Sequence, residues 1–173
     1  MTAITQQPTN LAFLSPLGFT MKVKNIPNVS YFVQSVTIPE ISLDIAEVPT
    51  PFQRLPFPGT KLDFGELAVS FKIDEDLVNY KEIYNWMKGI GFPDDFNQYA
   101  AIANKPKYTG DGVQSDISLM VLSSAMNPTH EFIFYDCFPV SLSDLTFDST
   151  TIEIGYMTAT VSFANRRFEI KTL

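Results

Sequence analysis

The side chains able to do chemistry are few in this sequence, and their spacing works against them. His130 is the one histidine and Cys137 the one cysteine. Seven residues apart, they fall on opposite faces of a regular strand, so a thiolate–imidazole pair is not expected. Two such ligands fall short of a zinc site, and a single thiol excludes an intramolecular disulfide. Carboxylates are more plentiful. Asp74, Glu75 and Asp76 stand together, but no calcium-binding loop follows them and a helix start explains them. Asp94 and Asp95 are adjacent, and the stretch CFPVSLSDLTFDST at 137–150 is rich in hydroxyls and carboxylates with no base beside them. No glycine-rich phosphate cradle, nucleophile elbow or metalloprotease signature is present. No catalytic, cofactor-binding or metal-binding residue is assigned. A hydrolase working through carboxylates alone stays open as an alternative.

The elements that would position these groups read mostly as strands. In LAVSFKI, Leu67, Val69, Phe71 and Ile73 share one face while Ala68, Ser70 and Lys72 share the other, as a half-buried strand requires. MTATVSF repeats the pattern, with Met157, Ala159, Val161 and Phe163 inward and Thr158, Thr160 and Ser162 outward. Further strands are expected near 18–24, 30–38, 115–123 and 131–138. One helix is predicted in DEDLVNYKEIYNWMKGIG. Leu77, Tyr80, Tyr84 and Met87 form its apolar stripe, acids lead it, Lys88 ends it, Gly89 stops it and Trp86 anchors it. The fold class is therefore mainly β with one flanking helix.

Two segments do not fit a compact core. Residues 39–58 hold five of the twelve prolines among Ile41, Leu43, Val48, Phe52, Leu55 and Phe57. Proline denies central ladder bonds, so this reads as an extended apolar arm that projects and needs a partner, or else folds back over the sheet. Residues 92–113, with two prolines and two glycines, read as a long surface loop.

Composition sets the outer bounds. With 173 residues, 45% of them hydrophobic, the chain is one domain's worth and can bury a core. The charge of −7 argues against a surface that grips nucleic acid. Residues 92–160 hold nine acids against Lys105 and Lys107, a balance equal to the whole net charge. As a lone monomer, that region reads as a solvated face. The opening MTAITQQPTN lacks a basic region, and LAFLSPLGF is too short and broken to span a membrane. A soluble product that binds no membrane is expected.

The order SVTIPEISL, then the arm, then FGELAVSFKIDEDLVNYKEIYNWM, then FIFYDCFPVSLSDLTFDST, then MTATVSF resembles the tail tube family of T4-like contractile phages. The likeness runs from about Phe19 to the C-terminus. It includes a late segment FP-x-x-x-S-x-L-x-[FW]-D-[SG], present here as Phe138, Pro139, Ser143, Leu145, Phe147, Asp148 and Ser149. The resemblance implies a short leader over 1–18 and a single tail-tube-like domain over 19–173, a β-barrel or sandwich with a projecting hairpin arm. It also implies homohexameric rings whose inner strands join into one barrel, stacked into the tube through which the genome passes. Related rings occur as baseplate tube initiators and in type VI secretion and contractile injection systems, and the helix region here is similar to the initiators. The expected partners are further copies of the chain, sheath and baseplate or terminator proteins, and passing DNA without specific binding. The expected location is the virion tail, assembled in the host cytoplasm.

On that reading Val48, Phe52, Arg54, Leu55 and Phe57 of the arm form a ring-stacking interface. The small polar positions Ser70, Lys72, Thr158, Thr160 and Ser162 line the lumen, joined by acids from among Asp144, Asp148 and Glu153 that repel DNA. Pro139 and Asp148 bracket the turn and strand that shape the barrel wall, with Ser141, Ser143 and Asp144 giving it a wet surface. A monomeric β-sandwich binding module is the alternative; it would keep the arm folded.

Overall fold

The architecture follows from where period-two alternation holds and where it breaks. The computed structural model describes residues 12–23, 25–103, 112–148, 150 and 155–173. Its elements in chain order are β1 (Phe19–Val23), α1 (Pro27–Phe32), β2 (Val33–Thr37), β3 (Ile41–Pro49), β4 (Arg54–Phe64), β5 (Leu67–Lys72), α2 (Val78–Gly91), α3 (Phe96–Ala103), β6 (Ser115–Leu122), β7 (Pro128–Leu142), β8 (Thr158–Ala164) and β9 (Arg167–Thr172). The protein is mainly β and antiparallel. Seven strands pair in the order β1-β6-β7-β8-β5-β2, with β9 also on β7, while β3 and β4 form a separate hairpin.

Strand β7 joins two halves. Its first part pairs with β6 and β9, and from Phe138 onward it pairs with β8. Between them Asp136 takes a left-handed conformation (φ 54°), its N–H donating to Asp116 Oδ1 at 3.0 Å, and the register to β6 slips. This bulge resets the phase, so Phe134 and Cys137 are both fully buried although three residues apart. The expectation that seven residues put His130 and Cys137 on opposite faces fails for this reason. What separates them is length, about 23 Å of strand at ~3.3 Å per residue.

The core lies between the halves. Leu67, Val69 and Phe71 from β5 and Val161 and Phe163 from β8 meet Ile117 and Leu119 from β6, Met21 and Val23 from β1, and Phe134. Helix α2 adds Ile83 and Trp86, whose ring lies 6.0 Å from that of Phe163 and whose N–H donates to the Val113 carbonyl at 3.2 Å.

Several sequence expectations need correction. The strand expected from residue 30 begins only at Val33, because Pro27 opens a short helix whose Val29 is buried. The buried face of α2 is Asn79, Ile83, Trp86 and Gly89, and Tyr84 from the expected stripe is 52% exposed. The acids at 74–76 precede the helix without entering its first turn. Gly89 does not end α2, which runs to Gly91 and closes on Phe92, left-handed at φ 36°. Gly89 is instead a contact point: a Cβ there would overlap Cδ1 of Ile102 in α3. Helix α3 itself interrupts the stretch expected to be a long loop. Strand β9 was not expected.

Candidate assembly surfaces

The outer face of the β2, β5, β8 and distal β7 strands is built from small hydroxyl side chains. Where Leu67, Val69 and Phe71 point into the core, Ala68, Ser70 and Lys72 point out, and β8 presents Thr158, Thr160 and Ser162 beside them. Register aligns Ser35 with Ser70 and Thr160, and Thr37 with Ala68, Ser162 and Ser141. Ser70 Oγ and Thr160 Oγ1 are hydrogen-bonded at 2.9 Å. Ser143 extends the wall beyond β7: its N–H donates to the Thr160 carbonyl at 2.8 Å and its Oγ accepts from the Thr160 N–H at 3.0 Å. The Tyr80 hydroxyl holds the Ser143 carbonyl at 3.2 Å.

The structure thus brings together Ser70, Lys72, Thr158, Thr160 and Ser162 on one face, as the sequence led us to expect. Asp144 and Asp148 are not on these strands. Both are exposed in the segment 143–148 that follows β7, where Asp148 accepts from Thr150 N–H at 2.8 Å; Glu153 lies outside the described residues. Pro139 is not at a turn: it sits within β7, opposite Phe163. Along β2, β5, β8 and residues 138–142 of β7, Lys72 is the only ionisable side chain. Its Nζ sits 3.7 Å from the centroid of the Tyr156 ring.

This four-stranded section has two outer edges. Among the described residues, β2 pairs only with β5, and β7 from Phe138 to Leu142 pairs only with β8. Leu17 and Tyr31 lie near Val33 and Gln34 of β2, and Val140 lies on distal β7, all large apolar groups left exposed. Unpaired N–H and C=O groups flanked by such side chains invite another strand.

The β3–β4 hairpin projects, and every residue of β3 is exposed. It is longer than the proline run suggested, reaching Phe64, which packs on Phe168 with ring centroids 5.6 Å apart. Its base is pinned by Gly65 N–H to the Glu40 carbonyl at 3.1 Å and by Asn165 Nδ2 to the Gly65 carbonyl at 3.0 Å. At the tip Thr50 N–H donates to the Gln53 carbonyl at 3.1 Å, leaving Phe52 98% exposed. Val48, Leu55 and Phe57 are also exposed. Arg54 pairs with Glu47 of its own hairpin at 3.2 Å, and both remain in water, where such a pair contributes little. Ile41, Leu43, Ile45 and Leu62 extend the exposed apolar set toward the base. The apolar pairs change phase on the way, from Ile41–Phe64 and Leu43–Leu62 to Ala46–Phe57 and Val48–Leu55, across an irregularity at Asp44. Gly59 is required there, since a Cβ would drive into the Asp44 carbonyl oxygen.

Groups with shifted titration do not converge. Burial, reinforced by Asp116, pushes the Cys137 thiol up to about 12. Burial, helped by Glu169, also raises the Tyr135 phenol. Lys88 and Asp94, 2.7 Å apart at the end of α2, hold each other charged, the lysine raised and the carboxyl lowered. Among the described residues no cluster of three or more His, Cys, Asp or Glu side chains suits a metal ion.

Comparison with known proteins places this geometry. A family model described as phage tail tube protein matches residues 4–171. A search of curated proteins returns no match. Among solved structures, the tube-terminating cap of the anti-feeding prophage aligns over 100% of both chains at TM-score 0.67 and 15% identity. A chain of the PVC sheath–tube complex, from an extracellular contractile injection system in its extended state, aligns over 100% of both at TM-score 0.60 and 16% identity. A chain of the six-fold symmetrised anti-feeding prophage baseplate aligns over 88% of this chain and 90% of that one at TM-score 0.54 and 10% identity. At these identities the likeness is one of fold.

Proposed function

Because the chain belongs to the phage tail tube protein family, we propose that it forms homohexameric rings that stack into the inner tube of a contractile phage tail, giving the channel for genome delivery. The observation that carries this reading is the four-stranded section with two available edges. Its strands are antiparallel throughout, so an even number of them leaves β2 and distal β7 running in opposite directions. A neighbour related by rotation about one axis then brings its β7 edge antiparallel to β2. Repeating the step closes a barrel with no edge left over. The hydroxyl faces of successive copies then form the lumen wall. The six-fold baseplate neighbour supports the ring size.

The hairpin supplies contacts between rings. Val48, Phe52, Leu55 and Phe57 bury themselves against the adjacent ring, with Ile41, Leu43, Ile45 and Leu62 nearer the base; Arg54 keeps its partner Glu47. Sheath, baseplate and terminator proteins are the remaining partners, and the particle is a virion tail put together in the host cytoplasm. A second reading, the ring that closes a tube, is favoured by the full-length likeness to the anti-feeding prophage cap.

A single thiol placed on the wall tests the lumen. Cys137 is fully buried and its pKa is about 12, so Ser70→Cys adds the one reactive cysteine. Assembled protein should accept a small maleimide and refuse a bulky polymer-linked one, while dissociated protein accepts both. Equal labelling by the bulky reagent in both states would place Ser70 on an outer surface.

A further inference from the structure

We infer that the wall touches the phosphates of a passing polynucleotide through Lys72 and its neighbouring hydroxyls, in place of repelling them through acids. This rests on the ring reading above. The strands of the wall carry no carboxylate, and Lys72 is their only charge. The charge on these strands is thus opposite in sign to the chain's net −7.

The local geometry suits a phosphate. Tyr156, itself exposed, backs the ammonium at 3.7 Å and holds it on the surface. Thr158 stands opposite Lys72 in register, and the hydrogen-bonded Ser70–Thr160 pair lies one step along the same face. An ammonium flanked by hydroxyl donors is the ordinary donor set for a phosphodiester oxygen. No carboxylate forms an ion pair with Lys72 among the described residues. The nearest acid along the chain, Asp74, accepts the Asn79 N–H at 3.2 Å. In a six-membered ring the site repeats around the lumen as a belt of cations. One weak contact per copy, shared around the ring, holds a strand near the axis without selecting its sequence.

The test is anisotropy of a short fluorescein-labelled oligothymidylate titrated with assembled protein over a salt series, each sample imaged by electron microscopy. Wild-type rings should bind at low salt, with log K falling against log[salt] by about 0.7 for each lysine engaged. Lys72→Gln should weaken binding about tenfold and flatten that slope, Lys72→Glu should abolish it, and Lys72→Arg should retain it. Rings of Lys72→Gln that bind like wild type, or wild-type rings that bind nothing at low salt, overturn the inference while leaving the ring reading intact. Samples that hold only monomers in the images overturn the ring reading, and this inference with it.

Discussion

Asn79 is a polar side chain sealed in the core, and its bonds explain why it is there. Its Nδ2 donates to the Lys72 carbonyl at 2.7 Å, its Oδ1 accepts the Tyr80 N–H at 2.8 Å, and its own N–H donates to Asp74 Oδ1 at 3.2 Å. The residue ties the end of β5 to the start of α2, which begins after Leu77 in a left-handed conformation with no side-chain cap of its own. Asn79→Ala should cost about 2 kcal/mol in chemical denaturation, because it strands a buried carbonyl; an unchanged midpoint would remove Asn79 from that role. The expected stripe holds at Tyr80 and Met87, which pack against the core beside Trp86, and fails at Tyr84. The centre of the buried face is Asn79, Ile83 and Trp86, and an asparagine there is not legible as a core position from the sequence. Cys137 makes a second residue-scale prediction. With a pKa of about 12, raised first by burial and then by Asp116, it should resist alkylation at neutral pH in the folded protein and react at once in denaturant. The Lys88–Asp94 pair supports the folded end of α2 across neutral pH. The lowered carboxyl loses its share as pH falls through its folded value, and the raised lysine loses its share as pH rises through its own.

Among elements, the alternating strands were the most legible. LAVSF and TATVSF place apolar and hydroxyl residues on alternate faces, and both appear as β5 and β8 with those faces buried and wet as expected. Elements that break alternation were hidden. The bulge at Asp136 makes β7 read as two unrelated phases, and no residue type there announces it. In β9, Arg167, Glu169 and Lys171 make the sequence look like a solvated tail, although Phe168 packs against Phe132 and Phe134. Helix α3 was masked by the prolines and glycines on either side, its contact with α2 resting on Gly89 and Ile102. Gly89→Ala should therefore push α3 away from α2 and raise hydrogen exchange over 96–103, with the strands unaffected. The arm was legible in existence but not in extent, since Gly59 acts through its backbone approach to Asp44. Gly59→Ala should break the hairpin register and impair ring stacking, because a carbonyl oxygen cannot move aside as a side-chain tip can. Normal-length stacks in that variant would take the hairpin out of the contact.

At the scale of the whole molecule, a monomer leaves two strand edges on one antiparallel section unpaired, with a hydroxyl face between them and an apolar hairpin outside the core. Ring closure would pair the two edges and stacking would cover the hairpin, while the hydroxyl wall would face the lumen. Phe52→Ser with Phe57→Ser should leave the monomer's stability within about 0.5 kcal/mol of the parent, since both side chains are exposed. The same double variant should form single rings that do not stack. The candidate site was legible in the sequence as far as small polar alternation reveals a wall. The spacing of Asp144 and Asp148 does not tell that β7 ends at Leu142, with both acids in the segment that follows it. The most direct measurement is electron microscopy of the purified chain across a concentration series, with light scattering on the same samples. Six-fold rings or stacked tubes with a central hole, the β2 edge of each copy against β7 of the next, are the predicted result. Monomers alone at the highest concentration, with the hairpin lying free, would contradict it.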